Sequence, residues 1–220
     1  MLILNNPAFE RQIVDILIQE YQFEEPREGI HASDLIYCLT KSFWNKVDYL
    51  PPTIEDVMRF SIGLGLERVI IQFTASRRVP LEKDGIILSP DFILDKVHAE
   101  LKTTRWGVGK TSPTWFKQIM AYAYVVETLF FNLAVLHVIP AVLKGYALVF
   151  TEEELRENWY WMLHRKEILD RALRTDDPPK AFQYNEDWEC NGCRYKLRCD
   201  LEASQRRLLP DNVVPMIGGP

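Results

Sequence analysis

The 220-residue sequence lacks the long apolar segment that a membrane-spanning helix needs, because no uncharged apolar run reaches 18 residues. It also lacks a basic, strongly apolar beginning, so we expect no signal peptide and a cytoplasmic location. Positive charge is not in excess. The net charge is −5, so a nucleic-acid site would have to be a local basic path and not a basic surface throughout.

The composition favours one globular domain over residues 1–220, since 47% of the residues are hydrophobic. Apolar periodicity predicts helices over residues 7–22, 33–47, 53–73, 112–130 and 151–173. Branched, alternating segments predict strands over residues 86–94, 97–103, 132–139 and 142–150. We therefore predict an α/β (α+β) fold, in which a mixed or antiparallel sheet of about four strands is flanked by helices and one helix crosses between its halves.

The most informative stretch is a predicted β-hairpin with a two-residue turn at Asp95 and Lys96. Counting back from this turn places Asp91 directly opposite Glu100, at a Cβ separation of about 4.5–5.5 Å. Lys102 shares the face of Glu100 because side chains on a strand alternate with a period of two. The three groups therefore converge without any long-range assumption.

Two carboxylates and a lysine suit metal-dependent phosphodiester cleavage. The carboxylates of Asp91 and Glu100 can hold Mg²⁺ or Mn²⁺, which prefer oxygen ligands. Lys102 can orient the attacking water or stabilise the developing negative charge. The alternative is a surface hairpin whose charged side chains are simply solvated.

The predicted helix over residues 53–73 contains Gly63 and Gly65, each of which costs about 1 kcal/mol relative to alanine in a helix interior. Their presence predicts the close approach of another backbone. Glu67 follows one turn after Gly63 and is a candidate further metal ligand. The alternative is an acid paired with Arg68 or Arg77.

The segment after the hairpin combines Arg105 and Lys110 with Trp106 and Trp115, a composition that could hold a nucleic-acid strand or form an ordinary loop. It is not a phosphate-binding loop, because residue 104 is threonine where the first glycine would be required.

Gln118 and Tyr122 are four residues apart in the next predicted helix and share one face. Gln118 could hydrogen-bond the active-site shell or a phosphate, and Tyr122 could stack on a base or position a water.

The four cysteines are distributed unevenly. Cys190, Cys193 and Cys199 lie close together, whereas Cys38 is the single cysteine in the first 189 residues. Clustered cysteines in a chain without a secretion signal predict metal ligands rather than disulfides. Four thiolates fit either zinc or an iron–sulfur cluster, and the site would join residues 30–50 to residues 180–205.

These motifs occur in an order that resembles the RecB-like branch of the PD-(D/E)xK nuclease superfamily, and more narrowly the CRISPR-associated exonuclease family with an iron–sulfur cluster. The resemblance covers residues 30–200. It depends on three catalytic motifs and on the cysteines: Pro90-Asp91, Glu100-Leu101-Lys102, Gln118 with Tyr122, and Cys38 with Cys190, Cys193 and Cys199.

The resemblance implies a restriction-endonuclease-like core and a metal-dependent DNA exonuclease acting 5′ to 3′ on single-stranded DNA during spacer acquisition, beside the CRISPR integrase proteins. It implies that Asp91, Glu100 and the carbonyl of Leu101 bind the metal. It also implies that the cysteines hold an iron–sulfur cluster, [4Fe-4S] in preference to [2Fe-2S].

One position departs from the family pattern, because Glu67 stands where the family usually has a histidine ligand. Three alternatives stay open: a non-catalytic DNA-binding adaptor of the same fold, a zinc-binding protein with an unrelated sheet, and a repair or viral nuclease outside CRISPR. The sequence is compatible with a homo-oligomer.

Overall fold

The computed structural model describes residues 6–21, 27–74, 80–180 and 188–208, which contain eight helices and six strands. The helices are α1 Pro7–Tyr21, α2 Ala32–Ile36, α3 Leu39–Val47, α4 Ile54–Phe73, α5 Pro113–Val125, α6 Glu152–Thr175, α7 Trp188–Asn191 and α8 Lys196–Leu208. The strands are β1 Leu81–Lys83, β2 Ile86–Leu88, β3 Phe92–Leu94, β4 Val97–Thr104, β5 Phe130–Val138 and β6 Ala141–Val149.

Four strands form the central sheet in the order β3-β4-β5-β6. The two outer pairs, β3–β4 and β5–β6, are antiparallel, whereas β4 and β5 are parallel. A parallel pair needs a long crossover connection, which α5 provides. The prediction of a mixed central sheet flanked by helices is therefore confirmed, and the purely antiparallel alternative is wrong.

The β3–β4 hairpin has the predicted two-residue turn. Leu94 pairs with Val97, and the residues between them, Asp95 and Lys96, have φ values of 50° and 67°. Two successive left-handed residues are typical of a type I′ turn, whose twist matches that of the flanking strands.

The strand predicted over residues 86–94 is in fact two strands. β2 pairs with β1 in a separate two-stranded sheet, whereas β3 pairs with β4. Pro90 lies between β2 and β3 and has no N–H to donate to a ladder, which explains the interruption. As a result, Asp91 lies immediately before β3 and outside the regular ladder.

Helices cover the two faces of the sheet unequally. On one face, α2, α5 and α6 form the main core with β5, and its members include Leu35, Ile119, Phe131, Leu133 and Trp159. On the other face, α4 packs against a smaller cluster formed by Phe92, Ala99 and Leu101. The residues of β4 that alternate with this cluster, including Glu100 and Lys102, point toward the main core.

Gly63 marks the close approach of α4 to β4. A Cβ atom at this position would lie 3.2 Å from Thr103 Oγ1. The neighbour at Gly63 is therefore a side chain, and the predicted approach of another backbone is wrong at this position.

The single helix predicted over residues 33–47 is divided into α2 and α3. Tyr37 is extended between them, with φ −90° and ψ −170°, and Cys38 is the N-cap residue of α3. Arg165 of α6 donates hydrogen bonds to the carbonyls of Leu35 and Tyr37. A continuous helix would use these carbonyls itself, so Arg165 compensates for the interruption.

Two helix ends also differ from the prediction. α2 begins at Ala32, with His31 as its N-cap residue, rather than at residue 33. α5 ends at Val125 rather than at residue 130, since Glu127 adopts a left-handed conformation with φ 55° and Phe130 begins β5. No helix within the described ranges is long and apolar enough to cross a membrane.

Candidate active site and cysteine cluster

Asp91 and Glu100 lie at the open end of the β3–β4 hairpin. The last paired residues of the ladder are Phe92 and Ala99, so its next position brings Asp91 opposite Glu100. Only 5% of Asp91 and 2% of Glu100 are exposed. Burying carboxylates is costly unless they are paired or bind a cation, so this location is chemically specialised.

The backbone of Leu101 completes this end of the site. Its N–H donates a hydrogen bond of 2.8 Å to Asp91 Oδ2. Because the N–H and C=O groups of one strand residue point to the same side, the Leu101 carbonyl is also directed toward the Asp91 side of β4. Its role as a metal ligand stays a prediction.

Lys102 joins the acidic pair to α5. Its Nζ atom lies 2.5 Å from Glu100 Oε1 and 2.7 Å from Gln118 Oε1. Burial alone would lower the pKa of Lys102, but the negative charge of Glu100, with smaller effects from Tyr37 and Asp91, raises it above its ordinary value. Lys102 is therefore a protonated hydrogen-bond donor at neutral pH.

Gln118 and Tyr122 extend the network along α5. The Gln118 Nε2 atom donates a hydrogen bond of 2.5 Å to the Tyr122 hydroxyl. Tyr122 is 4% exposed, and its ring lies 6.3 Å from that of Phe131 in β5. The pair predicted from a four-residue spacing is thus connected directly to Lys102.

Glu67 approaches β4 from the opposite side. It is buried on α4, one turn beyond Gly63, whereas Glu100 points toward α5. Arg77, one of its predicted alternative partners, lies outside the described residues. The assignment of Glu67 as a further metal ligand stays a prediction.

The four cysteines come together from two ends of the chain. Cys38 is buried, and the other three are partly exposed. Burial raises the pKa of Cys199 to about 11, and the neighbouring Cys193, Cys38, Glu202 and Cys190 raise it in the same direction. Because the charges of these groups influence Cys199, the four cysteines lie in one region of the fold.

Hydrogen bonds that do not involve the thiols also join the two segments that carry the cysteines. The Cys38 N–H donates a hydrogen bond of 2.7 Å to the Glu189 carboxylate. The Tyr195 hydroxyl, on a side chain with no exposed surface, accepts a hydrogen bond of 2.9 Å from the Leu50 N–H and donates one to Asn45. Residues 38–50 and 189–198 are therefore bound to each other by protein contacts alone.

Neither set of predicted ligands is closed into a coordination shell. Among the described residues, no three Cys, His, Asp or Glu side chains converge closely enough to hold a metal ion. In the hairpin, Glu100 is bound to Lys102 and Asp91 to the Leu101 N–H, as expected for carboxylates that take the nearest donors. The donors present are nevertheless oxygen atoms at one site and thiols at the other, which suit different metals.

Two supporting residues were not predicted from the sequence. Tyr37 lies close enough to Lys102 to influence its pKa, and it directly precedes Cys38. Arg165 holds the Tyr37 carbonyl. Only the neighbouring cysteine could have drawn attention to Tyr37, and nothing local identifies Arg165.

The fold and these residues define a class: a mixed sheet with a hairpin-borne acidic pair and lysine, flanked by helices. No protein-family profile and no curated protein matches the sequence. Solved structures do match the fold. SSO0001 has a TM-score of 0.59 at 20% identity, and the match covers 86% of this chain and 95% of that protein. The alkaline exonuclease LHK-Exo from Laribacter hongkongensis has a TM-score of 0.51 at 13% identity, over 71% of this chain and 95% of the exonuclease. At these identities the likeness defines the fold.

Proposed function

We propose that the chain is a metal-dependent nuclease that hydrolyses phosphodiester bonds in DNA. The observation that carries this proposal is the hydrogen-bonded arrangement of Glu100, Lys102 and Gln118 beside the buried Asp91. A buried ion pair of this kind contributes little net stability, because removing both charges from water offsets their attraction. The arrangement is explained if Asp91 and Glu100 bind a cation and Lys102 takes part in the reaction. The shared fold with an alkaline exonuclease supports the same class.

Asp91, Glu100 and the Leu101 carbonyl would hold Mg²⁺ or Mn²⁺, with Glu67 as the further candidate. When bound, such a cation lowers the pKa of water and neutralises charge that develops on the phosphate. Lys102, which is protonated, donates a hydrogen bond to the attacking water or to the phosphate oxygen. Gln118 positions Lys102 through its side-chain oxygen, and Tyr122 orients Gln118.

The cysteines would hold an iron–sulfur cluster, of the [4Fe-4S] type in preference to [2Fe-2S]. A four-thiol donor set fits such a cluster, although it also fits zinc. Its role would be structural, clamping residues 30–50 to residues 180–205 where protein contacts already join them. Purified protein that is brown, with absorbance near 400 nm, would support an iron–sulfur cluster, whereas stoichiometric zinc without colour would contradict it.

The more specific part of the proposal is a 5′ to 3′ exonuclease on single-stranded DNA that trims DNA for CRISPR spacer acquisition, beside integrase proteins and in the cytoplasm. This part is supported by the order of the sequence motifs. A repair or viral nuclease with the same site would differ from it in the neighbouring genes and not in the chemistry.

The test is digestion of end-labelled single-stranded DNA with Mn²⁺, Mg²⁺ or EDTA. Asp91→Asn should lose metal-dependent cleavage, because asparagine keeps the shape of aspartate but not its charge. Asp95→Asn is the matched control, since it lies in the turn of the same hairpin and asparagine tolerates its positive φ. Asp95→Asn should cleave like the wild type, and the labelled end gives the polarity.

Cleavage that persists in Asp91→Asn would show that the hairpin is not the active site. A folded wild type that binds DNA but does not cleave it with either metal would favour the non-catalytic adaptor.

A further inference from the structure

The Trp106 side chain packs against a buried ring and is also partly exposed to solvent. Its ring stacks on that of Trp115 with a centroid distance of 5.7 Å and an interplanar angle of 22°. Trp115 is 8% exposed, whereas Trp106 is 41% exposed. One face of the Trp106 indole is therefore covered by a buried tryptophan, and much of the remainder is open to solvent.

The backbone of Trp106 is held from two directions. His137 Nδ1 lies 3.0 Å from the Trp106 carbonyl oxygen, a contact that places the imidazole proton on Nδ1 as the donor. The Trp106 N–H donates a hydrogen bond of 3.1 Å to Thr104 Oγ1. The loop thus presents an exposed aromatic ring in a fixed orientation, which a merely solvated loop would not require.

The tryptophan pair lies beside the proposed active site. Trp115, Gln118 and Tyr122 are spaced by three and four residues on α5 and therefore share one face of the helix. Gln118 contacts Lys102, so the supporting Trp115 lies about one helical turn from the residue that holds the proposed catalytic lysine.

We propose that Trp106 is a stacking platform for an unpaired nucleobase next to the phosphate that is cleaved. This inference rests on the proposed nuclease function and adds the residue that recognises an unpaired strand. Every base has an aromatic face, so stacking tolerates any sequence. Inside a duplex both base faces are covered by neighbouring pairs, so only a single strand or a frayed end can use the platform. Arg105 and Lys110 of the same loop carry the positive charge that phosphates require.

The experiment measures binding of fluorescein-labelled oligothymidylate in EDTA, so that no cleavage is needed. Trp106→Ala should weaken binding by about 5- to 150-fold. Trp106→Phe should recover most of the affinity, because a smaller ring still stacks. Val108→Ala is the control, since Val108 is a similarly exposed apolar residue of the same loop. It should bind like the wild type. Binding of a covalently closed circular duplex, which offers no unpaired base or open end, should be equal in all four proteins.

Cleavage assays then separate this inference from the proposed function. Trp106→Ala should raise KM for single-stranded DNA and leave kcat unchanged. Trp106→Ala that binds oligothymidylate like the wild type, an equal loss of duplex binding, or a wild type without affinity for oligothymidylate would each overturn the platform. If binding depends on Trp106 but the wild type does not cleave DNA, only the proposed nuclease function is contradicted.

A second inference comes from a separate part of the sheet, the open edge of β6. β6 is the outermost strand of the described sheet, and its ladder partner is β5. Leu143 and Val149 are 63% and 74% exposed. A long, apolar edge strand is a template for pairing with another strand, and soluble proteins normally protect it with charge, proline or a covering element.

Pairing with β5 determines which residues of β6 direct their N–H and C=O groups toward the open edge. The Phe150 N–H donates to the Leu129 carbonyl at 2.9 Å. Because hydrogen-bonded pairs alternate along an antiparallel ladder, the even-numbered residues of β6 bond to β5 and the odd-numbered residues direct their N–H and C=O groups outward. Gly145 is the central residue of β6 and one of these outward positions. A Cβ atom there would meet no other atom of the described chain within 4 Å, so internal packing does not explain the glycine.

We propose that β6 pairs antiparallel with β6 of a second copy of this chain, about a two-fold axis at Gly145. In this register, alanine and valine or leucine side chains oppose one another on one face. On the other face the single charged residue of the strand, Lys144, lies opposite Tyr146 of the second copy. An axis at Lys144 would keep the same outward residues paired but would place two lysines opposite each other. The position of Lys144 therefore favours the axis at Gly145 over this neighbouring one.

Sedimentation velocity tests this pairing. The wild type should sediment as a dimer, and Leu143→Lys and Ala147→Pro should sediment as monomers with unchanged melting temperature. Ala147→Pro removes an outward N–H and leaves the β5 ladder intact. Phe73→Lys is the control, as it makes the same kind of change at an exposed position on α4, and it should remain a dimer. A monomeric wild type, dimeric edge variants, or dissociation by Phe73→Lys would overturn the proposal.

Discussion

The proposed active site and the cysteine cluster are built from very different lengths of chain. The hydrogen bonds of the active site join residues separated by 2, 4, 10 and 16 positions. The contact between Cys38 and Glu189 joins residues 151 positions apart. The first site is therefore complete once one hairpin and one helix have formed, whereas the second requires the whole chain to be folded. Changes at the first should alter chemistry whether or not they alter stability, whereas changes at the second should alter stability alone.

One helix supports both regions, which gives the comparison an internal reference. Asn158 of α6 donates a hydrogen bond of 3.0 Å to the Lys117 carbonyl, next to Gln118. Arg165, two turns further along α6, holds the Tyr37 carbonyl next to Cys38. A change that weakens α6 should therefore affect both regions together.

The largest effect is expected from the cysteine cluster. Replacing Cys190 and Cys193 by serine should abolish binding of the proposed iron–sulfur cluster and lower the melting temperature, because the clamp that it would form between the chain ends is lost. A loss on the order of 5 kcal/mol corresponds to about 10–20 °C for a chain of this size. Metal content and thermal unfolding measure it, with Asn191→Ser as the neighbouring control. An unchanged melting temperature after complete metal loss would show that the protein contacts alone hold the clamp.

The hairpin should respond in the opposite way, through activity. Lys102→Met should reduce cleavage by about 10²- to 10³-fold, as expected for a lost donor to developing charge. It should also destabilise the chain by about 3–5 kcal/mol, because the buried Glu100 loses its lysine.

Adding Glu100→Gln to Lys102→Met distinguishes the two consequences. The double variant should regain most of the lost stability, since both charges are then absent, and it should remain inactive. Thermal unfolding and cleavage of labelled DNA measure the two separately. Recovery of cleavage in the double variant would contradict the role of the pair.

The difference between the regions also decides what the sequence could predict. Asp91, Glu100 and Lys102 were placed correctly because one turn and a period of two determine their positions. The cysteine cluster was predicted by counting thiols, which says nothing about its surroundings. The interruption at Tyr37 escaped prediction, since the arginine that compensates for it is 128 residues away. The role of Glu67 is a similar case, because the relation of α4 to β4 is a matter of packing and not of spacing.

A smaller effect on the clamp is expected from Tyr195→Phe. The substitution removes the acceptor of the Leu50 N–H and the donor to Asn45 from a side chain that has no exposed surface. A donor left without its partner costs about 1–3 kcal/mol, and the stability measured by denaturant should fall by that amount. Cleavage should be unchanged. Tyr160→Phe is the control, because Tyr160 is 62% exposed and should tolerate the change. A loss of cleavage greater than the loss of stability would mean that the clamp shapes the active site directly.

The smallest effect concerns α6, the helix that supports both the proposed active site and the cysteine cluster. α6 begins with a capping box at Thr151 and Glu154, in which Glu154 accepts a hydrogen bond of 2.8 Å from the Thr151 N–H. The backbone N–H and the hydroxyl of Thr151 lower the pKa of Glu154. A carboxylate with a lowered pKa stabilises the fold above its unfolded pKa of about 4.3, and this contribution is lost as the pH falls through the folded value.

Glu154→Gln should therefore be slightly less stable than the wild type at pH 7 and equal to it near pH 3, because glutamine keeps the box but not the charge at the positive end of α6. Thr175→Ser, at the far end of the same helix, is the control and should show no such pH dependence. Since α6 holds both regions, the small loss at pH 7 should appear equally in unfolding followed by the absorbance of the proposed cluster and in unfolding followed by tryptophan fluorescence. If only one signal shifted, the two regions would unfold separately, and α6 would not couple them.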